Sequence, residues 1–517
     1  MNGKSIRVRF APSPTGPLHL GGIRTALYNY LFAKQHEGTF ILRIEDTDQN
    51  RFVPGAEEYI LEALHWCGLE PDEDVVRGGA NSPYRQSERS AIYREYIQIL
   101  IDRQHAYYAF DTPEELESIR DKHQQDRGEV FQYNIHTRKQ LSNSLTLSSE
   151  EVRHRIDNGE PYVVRIHIPE NQEVIFQDLI RGEVTVHTAN LDDKVLFKSD
   201  GLPTYHLANV VDDYLMKISH VIRGEEWLPS APMHLLLYRF FGWEQQIPQF
   251  AHLPLILKPD GHGKLSKRDG DRLGFPVFPL EWKDPVSGEV FTGFRESGYL
   301  PAAFINMLAL LGWNPGTEQE IFSLEELIRL FSLERIHKSG SRFDPDKAKW
   351  FNHQYLMSLS DETLAEMLVQ LAVDSWQSSP SPCHPLDDLS YACLVVPLIR
   401  ERITLFPDLP VNARLFYFPP ESYDPQVREN VCKPGTPALI HRFMTEIAGL
   451  DPWAAEAIHE FVQSFTARNE VKTGALMMPL RLLLVGSNQG PGLTDIAAVI
   501  GKEDFLSRLG SGLERLG

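Results

Sequence analysis

The chain has 517 residues, of which 42% are hydrophobic and 24% charged, and its formal net charge is −20 at pH 7. This length exceeds the roughly 250–300 residues of a single hydrophobic core, so we expect several domains. No apolar run approaches the ~20 residues of a bilayer span, which excludes a helical membrane span, and the acidic balance disfavours non-specific binding to polyanions.

The amino-terminal elements follow the order strand, loop, helix. Residues 6–10 alternate in the manner of a strand, and the glycine pair at 21–22 opens a helical stretch. A second strand over residues 39–44 ends in an acidic cluster at 45–48, and a helix follows over about 56–67. This βαβ order predicts a parallel sheet whose ligands lie at the carboxyl ends of the strands.

The middle of the chain changes character twice. From about 109 to 195 it consists of charged helical pieces around a short alternating strand at 163–168. The β/α pattern then resumes with residues 195–197, 205–211 and 220–223. A parallel sheet interrupted by an inserted lobe explains this pattern.

The last third is predicted to be helical. After a lysine-rich loop, the proline-, glycine- and aromatic-rich residues 270–291 indicate an inserted loop or hairpin. Beyond about residue 347 apolar residues recur at i, i+3, i+4 and i+7, and Ser360 and Asp451 stand where helix N-caps belong.

Two polar constellations suggest a polyphosphate site. In the first, His19 precedes Gly21 and Gly22 at a helix start, where backbone N–H groups and the helix dipole favour a phosphate, although such a glycine pair is also common in plain turns. In the second, Lys264, Lys267 and Arg268 form a basic loop that would suit a clamp on a leaving pyrophosphate, or is simply a solvated loop.

The two constellations together resemble the paired signatures of class I aminoacyl-tRNA synthetases. The family's His-Ile-Gly-His stands here as residues 19–22, HLGG, and its Lys-Met-Ser-Lys-Ser as residues 264–268, KLSKR. The final His is replaced by Gly22 and the final Ser by Arg268, and both departures are common in the glutamyl branch. The loss of one imidazole leaves more of the phosphate binding to backbone amides and Lys267.

Further motifs are similar to bacterial members of the glutamyl branch. These motifs cover nearly the whole chain and are RFAPSPTG from Arg9, RIEDTD from Arg43, YRQS from Tyr84, DGLPTYHLANVVDD from Asp200, RGEEW from Arg223 and FDPDK from Phe343. The resemblance implies an α/β fold, in which a Rossmann-type parallel sheet is interrupted by an acceptor-binding insertion and followed by a stem-contact region and an all-α anticodon-binding part. The implied boundaries are 1–108 and 196–256 for the two catalytic halves, 109–195 for the insertion, 257–346 for the signature loop and stem-contact domain, and 347–517 for the helical domains.

The resemblance implies a site for free glutamate. Arg9 and Arg223 would hold its carboxylates, since a guanidinium offers a bidentate fork, and Glu45 would take the α-ammonium. A structural salt bridge remains the alternative for either arginine. The neighbouring residues carried over by motif are Ala11, Ser13, Tyr205 and Asn209.

ATP and Mg²⁺ are implied as well. The phosphates would lie between His19, Gly21 and Gly22 and the lysine-rich loop, with Mg²⁺ held mostly by phosphates and water. The residues expected near the nucleoside are Glu225 or Glu226, Trp227, Leu255 and Ile256. The family's zinc cluster is not expected, because Cys67, Cys383, Cys393 and Cys432 are widely spaced.

The implied macromolecular partner is tRNA-Glu. The candidates for binding its acceptor end are Asp48, Arg51 and the 109–195 lobe. The arginines considered for the anticodon are Arg400, Arg402 and Arg414, and the alternative for each is ordinary surface charge.

The nearest rival family is glutaminyl-tRNA synthetase, which reads the anticodon with β-barrels. A short tRNA-modifying relative, a silent RNA-binding paralogue and an unrelated nucleotidyltransferase fit less well, and whether tRNA-Gln is also charged stays open. We expect a monomer, and a cytoplasmic protein because the first residues lack a secretory signal.

Overall fold

A computed structural model describes residues 5–127, 131–266, 269–270, 272, 274–376 and 381–516. They divide into two compact units, one formed by residues up to 296 with 304–345, the other by 297–303 with residues from 346 onward. Among the described helices, none combines the length and the apolar character needed to cross a bilayer.

The first unit contains the strands and the helices that cover them. Its strands are β1 Arg7–Phe10, β2 Thr39–Leu42, β3 Ala106–Ala109, β4 Val163–Ile166, β5 Glu173–Asp178, β6 Gly182–His187, β7 Val195–Phe197, β8 His220–Gly224, β9 Gln249–Leu253, β10 Ile256–Leu257, β11 Trp282–Lys283, β12 Val290–Phe291 and β13 Ser341–Arg342. Its helices are α1 Leu20–Gln35, α2 Ala56–Trp66, α3 Ser90–Asp102, α4 Pro113–Arg127, α5 Ser149–Asp157, α6 Tyr205–Leu215, α7 Ala231–Phe241, α8 Pro301–Leu310, which begins in the second unit, and α9 Leu324–Leu330. Short 3₁₀ turns lie at Gln49–Arg51, Gln86–Arg89, Arg138–Gln140, Thr188–Asn190, Glu225–Ser230, Glu244–Gln246 and Leu333–Arg335.

The central sheet is parallel over most of its width. β1 pairs with β2 in parallel, with Arg7 opposite Thr39, and the N–H of Ser219 donates to the Arg7 carbonyl at 2.8 Å, which places β8 on the other side of β1. β8 and β9 pair in parallel, β9 meets β5 in parallel where Phe250 faces Asp178, and β6 pairs antiparallel with β5. The order β2-β1-β8-β9-β5-β6 brings the carboxyl ends of β1, β2, β8 and β9 to one edge, as predicted.

The core explains why these strands read as apolar runs. Both Val8 in β1 and Ile222 in β8 are fully buried, as is typical of strands in a parallel sheet. A continuous buried cluster joins the sheet residues Val221 and Phe250 to Leu236 of α7 and to Val164 in the segment after β3. Residues of the predicted insertion and of the sheet that follows it therefore share one hydrophobic core.

A second, antiparallel sheet has the order β3-β4-β7. The expectation that residues 195–197 return to the parallel sheet is wrong, because β7 pairs antiparallel with β4, with Phe197 opposite Val164. A three-residue apolar run fits either kind of sheet, so the sequence does not distinguish them. Of the two alternatives predicted for residues 270–291, a loop or a hairpin, the structure contains the hairpin, since β11 and β12 pair antiparallel.

The second unit is helical in its described residues, as predicted. Its helices are α10 Pro345–Ser358, α11 Asp361–Ser375, α12 Leu389–Ile399, α13 Asp408–Tyr417, α14 Pro425–Val431, α15 Thr436–Ile447, α16 Ala455–Arg468, α17 Thr473–Val485 and α18 Leu493–Leu516, with a 3₁₀ turn at Arg400–Arg402 and a break in α18 at Gly501. Ser360 is confirmed as an N-cap, because its hydroxyl accepts from the N–H of Thr363. The prediction for Asp451 is wrong: α16 begins at Ala455, and the intervening Trp453 donates to the Ala497 carbonyl at 2.9 Å.

Candidate functional site

A cavity of about 420 Å³ lies at the carboxyl ends of β1, β2, β8 and β9. The loops that follow these strands form its walls, which is where a parallel sheet places ligands. The sequence-predicted residues that line it are Arg9, Ala11, Ser13, His19, Gly21, Gly22, Glu45, Asp48, Arg51, Tyr205, Asn209, Arg223, Glu226, Trp227, Leu255, Ile256 and Lys264. The structure therefore brings together residues that are up to 255 positions apart in the sequence, Arg9 and Lys264.

Three residues predicted for this site do not line the cavity or are not described. Lys267 and Arg268 lie outside the described residues, while Arg402, predicted for the anticodon, belongs to the second unit. Glu225 is not among the lining residues. Its carboxylate accepts from the N–H of Leu255 at 2.8 Å and pairs with Arg181 at 2.5 Å, so it fixes the strand end that borders the cavity.

Helix α1 starts at the cavity wall. Its N-cap is His19, whose Nδ1 accepts from the N–H of Gly21 at 2.9 Å, and a Cβ at position 21 would meet the His19 ring at 2.8 Å, so this approach requires glycine. Because Nδ1 accepts, the neutral ring carries its proton on Nε2. The N–H groups of Leu20 and Gly22 donate to the carbonyls of Val277 and His19 at 3.1 and 2.8 Å. A phosphate that takes one of these N–H groups therefore has to replace an existing bond.

The described start of the lysine-rich loop is tied to the opposite wall. The backbone of Lys264 forms an isolated antiparallel β-bridge with Leu257. The Nζ of Lys264 pairs with Oε1 of Glu226 at 2.9 Å, and the side chains of Lys264 and Glu226 are each 45% exposed. Burial by itself raises the pKa of Glu226, but the hydrogen bond and charge of Lys264 outweigh it and lower that pKa below its ordinary value. Lys264 is thus held at the cavity mouth by a carboxylate that lies on the nucleotide side of the predicted site.

Asp269 organises the residues on either side of the two undescribed ones. It accepts from the N–H and the hydroxyl of Ser266 at 2.9 and 2.5 Å and pairs with Lys258 at 3.2 Å. The bonds from Ser266, then the ion pair with Lys258, hold the pKa of Asp269 well below its usual range. A carboxylate at this position therefore stays ionised and holds Ser266 and Lys258 beside it.

A buried network of charges lies behind the amino-acid side of the cavity. Asp213 accepts from Nε of Arg9 at 3.0 Å and from Nη1 of Arg43 at 2.8 Å. Arg43 also donates to Oε1 of Glu45 at 3.0 Å, and Asn209 donates to the same oxygen at 3.2 Å. Burial by itself raises the pKa of Asp213, but the charges of Arg9 and Arg43 lower it below its ordinary value. Arg9 therefore faces the cavity with its charge already balanced.

Glu45 offers an acceptor to the cavity. Both bonds to its carboxylate use Oε1, and no described residue donates to Oε2. Burial raises the pKa of Glu45, and the charges of Arg43 and Arg9 oppose that shift only in part. A cation beside Oε2 would stabilise the ionised form, so this carboxylate suits an ammonium group.

Arg223 has a different environment from Arg9. Its side chain is 5% exposed, and its Nε donates to Nε2 of His252 at 3.0 Å, its Nη1 to the Tyr205 hydroxyl at 2.8 Å and its Nη2 to the Trp227 carbonyl at 3.2 Å. No carboxylate among the described residues pairs with it. Burial and the charge of Arg223 lower the pKa of His234 well below its ordinary value, so that nearby ring is neutral. Arg223 thus carries an unbalanced positive charge on the cavity wall, a place suited to a carboxylate.

Arg24 and Val277 are among the lining residues that the sequence analysis does not predict. Arg24 is 3% exposed, and its guanidinium donates to the Leu311 carbonyl at 3.0 Å; it follows the glycine pair inside an apolar helix, where nothing marks it. Val277 comes from the inserted segment 270–291 and holds the N–H of Leu20. The proline- and aromatic-rich composition marks this segment as an insertion but gives no signal that it reaches the site.

The second unit has a cavity of its own, of about 390 Å³, lined in part by Arg402, Arg414, Phe418 and Gln489. Arg402 donates to the Gly490 carbonyl at 3.0 Å, and the Arg414 guanidinium lies 4.6 Å from the centre of the Phe418 ring. Burial and the charge of Arg402 lower the pKa of Arg481, and Arg414 pairs with Glu421, which also lines this cavity.

Arg400 is placed apart from this second cavity. It pairs with Asp361 at 2.5 Å and donates to the carbonyls of Met357 and Leu359 at 2.9 and 3.1 Å. These bonds join the residue after α12 to the end of α10, the start of α11 and the segment between them. Of the three arginines considered for the anticodon, Arg402 and Arg414 line the cavity and Arg400 has a structural role.

Two family models and several known proteins match this chain over nearly its whole length. Residues 5–350 match the family model of class I tRNA synthetases for glutamate and glutamine (E and Q), catalytic domain, and residues 361–513 match the model of an anticodon binding domain. The glutamate–tRNA ligase of Christiangramia forsetii is 52% identical over 511 residues, which cover 99% of each chain. That of Bacteroides fragilis is 52% identical over 519 residues and covers 100% of both.

Solved structures agree. A crystal structure of a glutamate–tRNA ligase from Elizabethkingia meningosepticum, in complex with its amino acid, superposes with a TM-score of 0.94 at 49% identity and covers 99% of this chain and 100% of that one. The glutamate–tRNA synthetase from Elizabethkingia anophelis superposes with a TM-score of 0.92 at the same identity.

Proposed function

Since the chain belongs to the class I tRNA synthetases for glutamate and glutamine, we propose that it activates L-glutamate with ATP as glutamyl-adenylate and transfers the glutamyl group to the 3′ end of tRNA-Glu, releasing pyrophosphate and AMP. It is a ligase of protein synthesis. One observation supports the choice of glutamate most directly. A buried cation, Arg223, lines the cavity and has no carboxylate partner among the described residues.

Glutamate lies between the two arginines in this proposal. Its α-ammonium meets Oε2 of Glu45, which places the α-carbon and the α-carboxylate beside Arg9, and the side chain extends toward Arg223. The Tyr205 hydroxyl accepts from Arg223, so its own proton is available to the γ-carboxylate. Ala11, Ser13 and Asn209 complete the lining of this pocket.

ATP occupies the other half of the cavity. Its phosphates lie between His19 and the lysine-rich loop with Lys264, Lys267 and Arg268. His19 would donate its Nε2–H to a phosphate oxygen. The residues proposed for the nucleoside are Glu226, Trp227, Leu255 and Ile256, with Glu225 holding the Leu255 backbone. Trp227 is 40% exposed, and its ring lies 4.4 Å from the Tyr205 ring at a tilt of 38°, so in this proposal it lies between the nucleotide half and the amino-acid half.

Mg²⁺ would reach the site with the phosphates. No group of three or more His, Cys, Asp or Glu side chains in the described chain is arranged to hold a metal ion, which fits a cation coordinated mainly by phosphate oxygens and water. When bound, it would neutralise phosphate charge.

The chemistry needs positioning and charge more than a protein nucleophile. An α-carboxylate oxygen attacks the α-phosphorus, the bond to the β-phosphate breaks, and pyrophosphate leaves against the cations of the lysine-rich loop. A ribose hydroxyl of the tRNA then attacks the activated carbonyl carbon, the bond to AMP breaks, and the hydroxyl proton is lost. Arg9 and Glu45 hold the reacting end of glutamate through both steps.

The tRNA acceptor end is proposed to enter past the exposed residues Asp48 and Arg51, on the rim of the cavity, with the 109–195 lobe beside it. This rim is tied to the antiparallel sheet, because Lys198, next to β7, donates to the Thr47 carbonyl at 2.9 Å. We place the protein in the cytoplasm, where tRNA is charged, as a monomer.

The anticodon is proposed to bind at the cavity of Arg402 and Arg414, where guanidinium planes and Phe418 suit splayed bases. Arg402→Ala is expected to raise the KM for tRNA about tenfold, the scale of one lost base contact, with little change in the KM for ATP or glutamate. Steady-state aminoacylation measures this. Arg442→Ala is the matched control, because that side chain is 63% exposed on α15 and lies outside the cavity lining. Equal effects of the two variants would place anticodon recognition elsewhere.

The overall proposal is tested by aminoacylation of purified total tRNA with labelled glutamate and labelled glutamine in parallel. We expect glutamate to be incorporated into tRNA-Glu and glutamine to be rejected without editing, since a buried cation left without a carboxylate disfavours the neutral amide. Incorporation of glutamine alone would overturn the proposal. Recovery of the charged species by sequencing shows whether tRNA-Gln is also a substrate.

A further inference from the structure

Behind Arg223 lies a second line of buried polar groups. Nε of Arg223 donates to Nε2 of His252 at 3.0 Å, and Nδ1 of His252 lies 2.6 Å from Oδ2 of Asp178. Neither His252 nor Asp178 has an exposed side chain. Asp178 ends β5, in the segment between the two catalytic halves, and His252 lies in β9 beside it.

The hydrogen bonds define the protonation of this pair. Oδ1 of Asp178 accepts from the N–H groups of Ile180 and Arg181 at 3.0 and 2.8 Å, which stabilises its ionised form. Burial opposes ionisation, but these bonds and the one from His252 lower the pKa of Asp178. His252 therefore donates its Nδ1–H to Asp178 and presents the lone pair of Nε2 to Arg223.

The pair directs Arg223 without balancing its charge. A carboxylate bonded directly to a guanidinium compensates it, as Asp213 does for Arg9. Between Asp178 and Arg223, by contrast, lies a neutral imidazole. Burial lowers the pKa of His252 and the charge of Arg223 lowers it further, although the carboxylate of Asp178 acts to raise it. The arginine receives a fixed orientation and keeps its charge for a ligand.

The remaining donors of Arg223 fit a carboxylate. Of the five N–H groups of a guanidinium, His252 accepts one, and the Tyr205 hydroxyl and the Trp227 carbonyl accept one each. A longer contact of 3.5 Å joins Nη1 to His234. One N–H on Nη2 and the weakly engaged one on Nη1 remain for a ligand. Two donors on the terminal nitrogens form the fork that binds a carboxylate in bidentate fashion.

We propose that His252 and Asp178 are positioning residues for amino-acid specificity, which hold the Arg223 fork toward the substrate's γ-carboxylate while leaving its charge unbalanced. The inference rests on the proposed role of Arg223 in binding glutamate. It assigns a function to two buried residues that contact neither substrate, and it explains why a histidine rather than a carboxylate lies against this arginine.

Three variants test the proposal in steady-state aminoacylation. His252→Leu removes the acceptor and is expected to raise the KM for glutamate at least tenfold and to narrow the preference over glutamine, with the KM for ATP unchanged. Asp178→Asn should have the same signature, because its amide donates to Nδ1 and moves the imidazole proton to Nε2, where it opposes the N–H of Arg223. His252→Gln should recover part of the preference lost in the Leu variant, since its amide accepts from Arg223 and donates to Asp178.

The controls separate this inference from the proposed function. His220→Leu replaces a half-buried histidine on β8 that does not contact Arg223, and should leave the preference unchanged. If Arg223→Gln narrows the preference while neither His252→Leu nor Asp178→Asn does, the positioning role is wrong and the proposed function stands. If Arg223→Gln has no effect, the positioning role and the proposed binding of the γ-carboxylate by Arg223 are both wrong. Equal rises in the KM for ATP and glutamate indicate a merely structural role. Should His252→Leu fail to fold, the near-isosteric Asp178→Asn decides.

Discussion

Replacing Arg223 by Gln is expected to raise the KM for glutamate by about 100-fold or more, because two charge-assisted hydrogen bonds of roughly 1.5–3 kcal/mol each are lost. The guanidinium is buried and has no carboxylate partner among the described residues, so a bound carboxylate interacts with a cation that is poorly hydrated. The preference for glutamate over glutamine should narrow in parallel, since the γ-carboxylate is the group that distinguishes the two. Aminoacylation kinetics with both amino acids measure the KM and the ratio.

The contrast with Arg9 makes this prediction specific. Arg9→Gln should weaken the binding of glutamate and of glutamine to the same extent, because the α-carboxylate is common to both amino acids. Arg103→Gln serves as the control, since its exposed guanidinium donates to the Phe240 carbonyl and does not line the cavity. If both Arg9→Gln and Arg223→Gln leave the ratio unchanged, other groups recognise the side-chain carboxylate.

The sequence predicts where the site lies better than how its residues divide their roles. The strand ends after β1, β2 and β8 are readable because each strand is a short apolar run that stops at a polar cluster. Arg9 and Arg223 look equivalent in the sequence, since each is an arginine in a buried strand. What separates them is Asp213 for one and His252 for the other, and these partners are 204 and 29 positions away.

The same limit explains the errors in the fold. β7 reads as a return to the parallel sheet because its three residues carry no information about their partner, which lies in β4. Asp178 sits in a strand that alternates exposed and buried residues, and its carboxylate is buried because β9 lies alongside. Local periodicity predicts elements, whereas pairing and burial depend on contacts that are distant in sequence.

Asp213→Ala is expected to lower the free energy of unfolding by about 3–5 kcal/mol, the cost of leaving buried charges without their partner. Asp213 pairs with Arg9 and Arg43, whose side chains are 3% and 0% exposed. Arg43 keeps Glu45, but Arg9 has no other carboxylate partner among the described residues. Asp213→Asn keeps the shape and removes the charge, so a loss close to that of the Ala variant attributes the effect to electrostatics.

The pH dependence gives this prediction its sign. The pKa of Asp213 is lowered in the folded chain, so its contribution is complete above the ordinary carboxyl value of about 3.9 and is lost as pH falls through the lower folded value. The stability gap between the wild type and Asp213→Asn should therefore be constant from pH 5 to 8 and shrink only below about pH 4. Urea unfolding of the full chain, followed at its first transition, measures the gap.

Glu62→Ala is the control. The side chains of Glu62 and its partner Arg295 are 57% and 42% exposed, and such surface pairs contribute roughly 0–1 kcal/mol. A gap for Asp213→Asn no larger than that of Glu62→Ala would mean that the network behind the amino-acid pocket does not depend on this carboxylate.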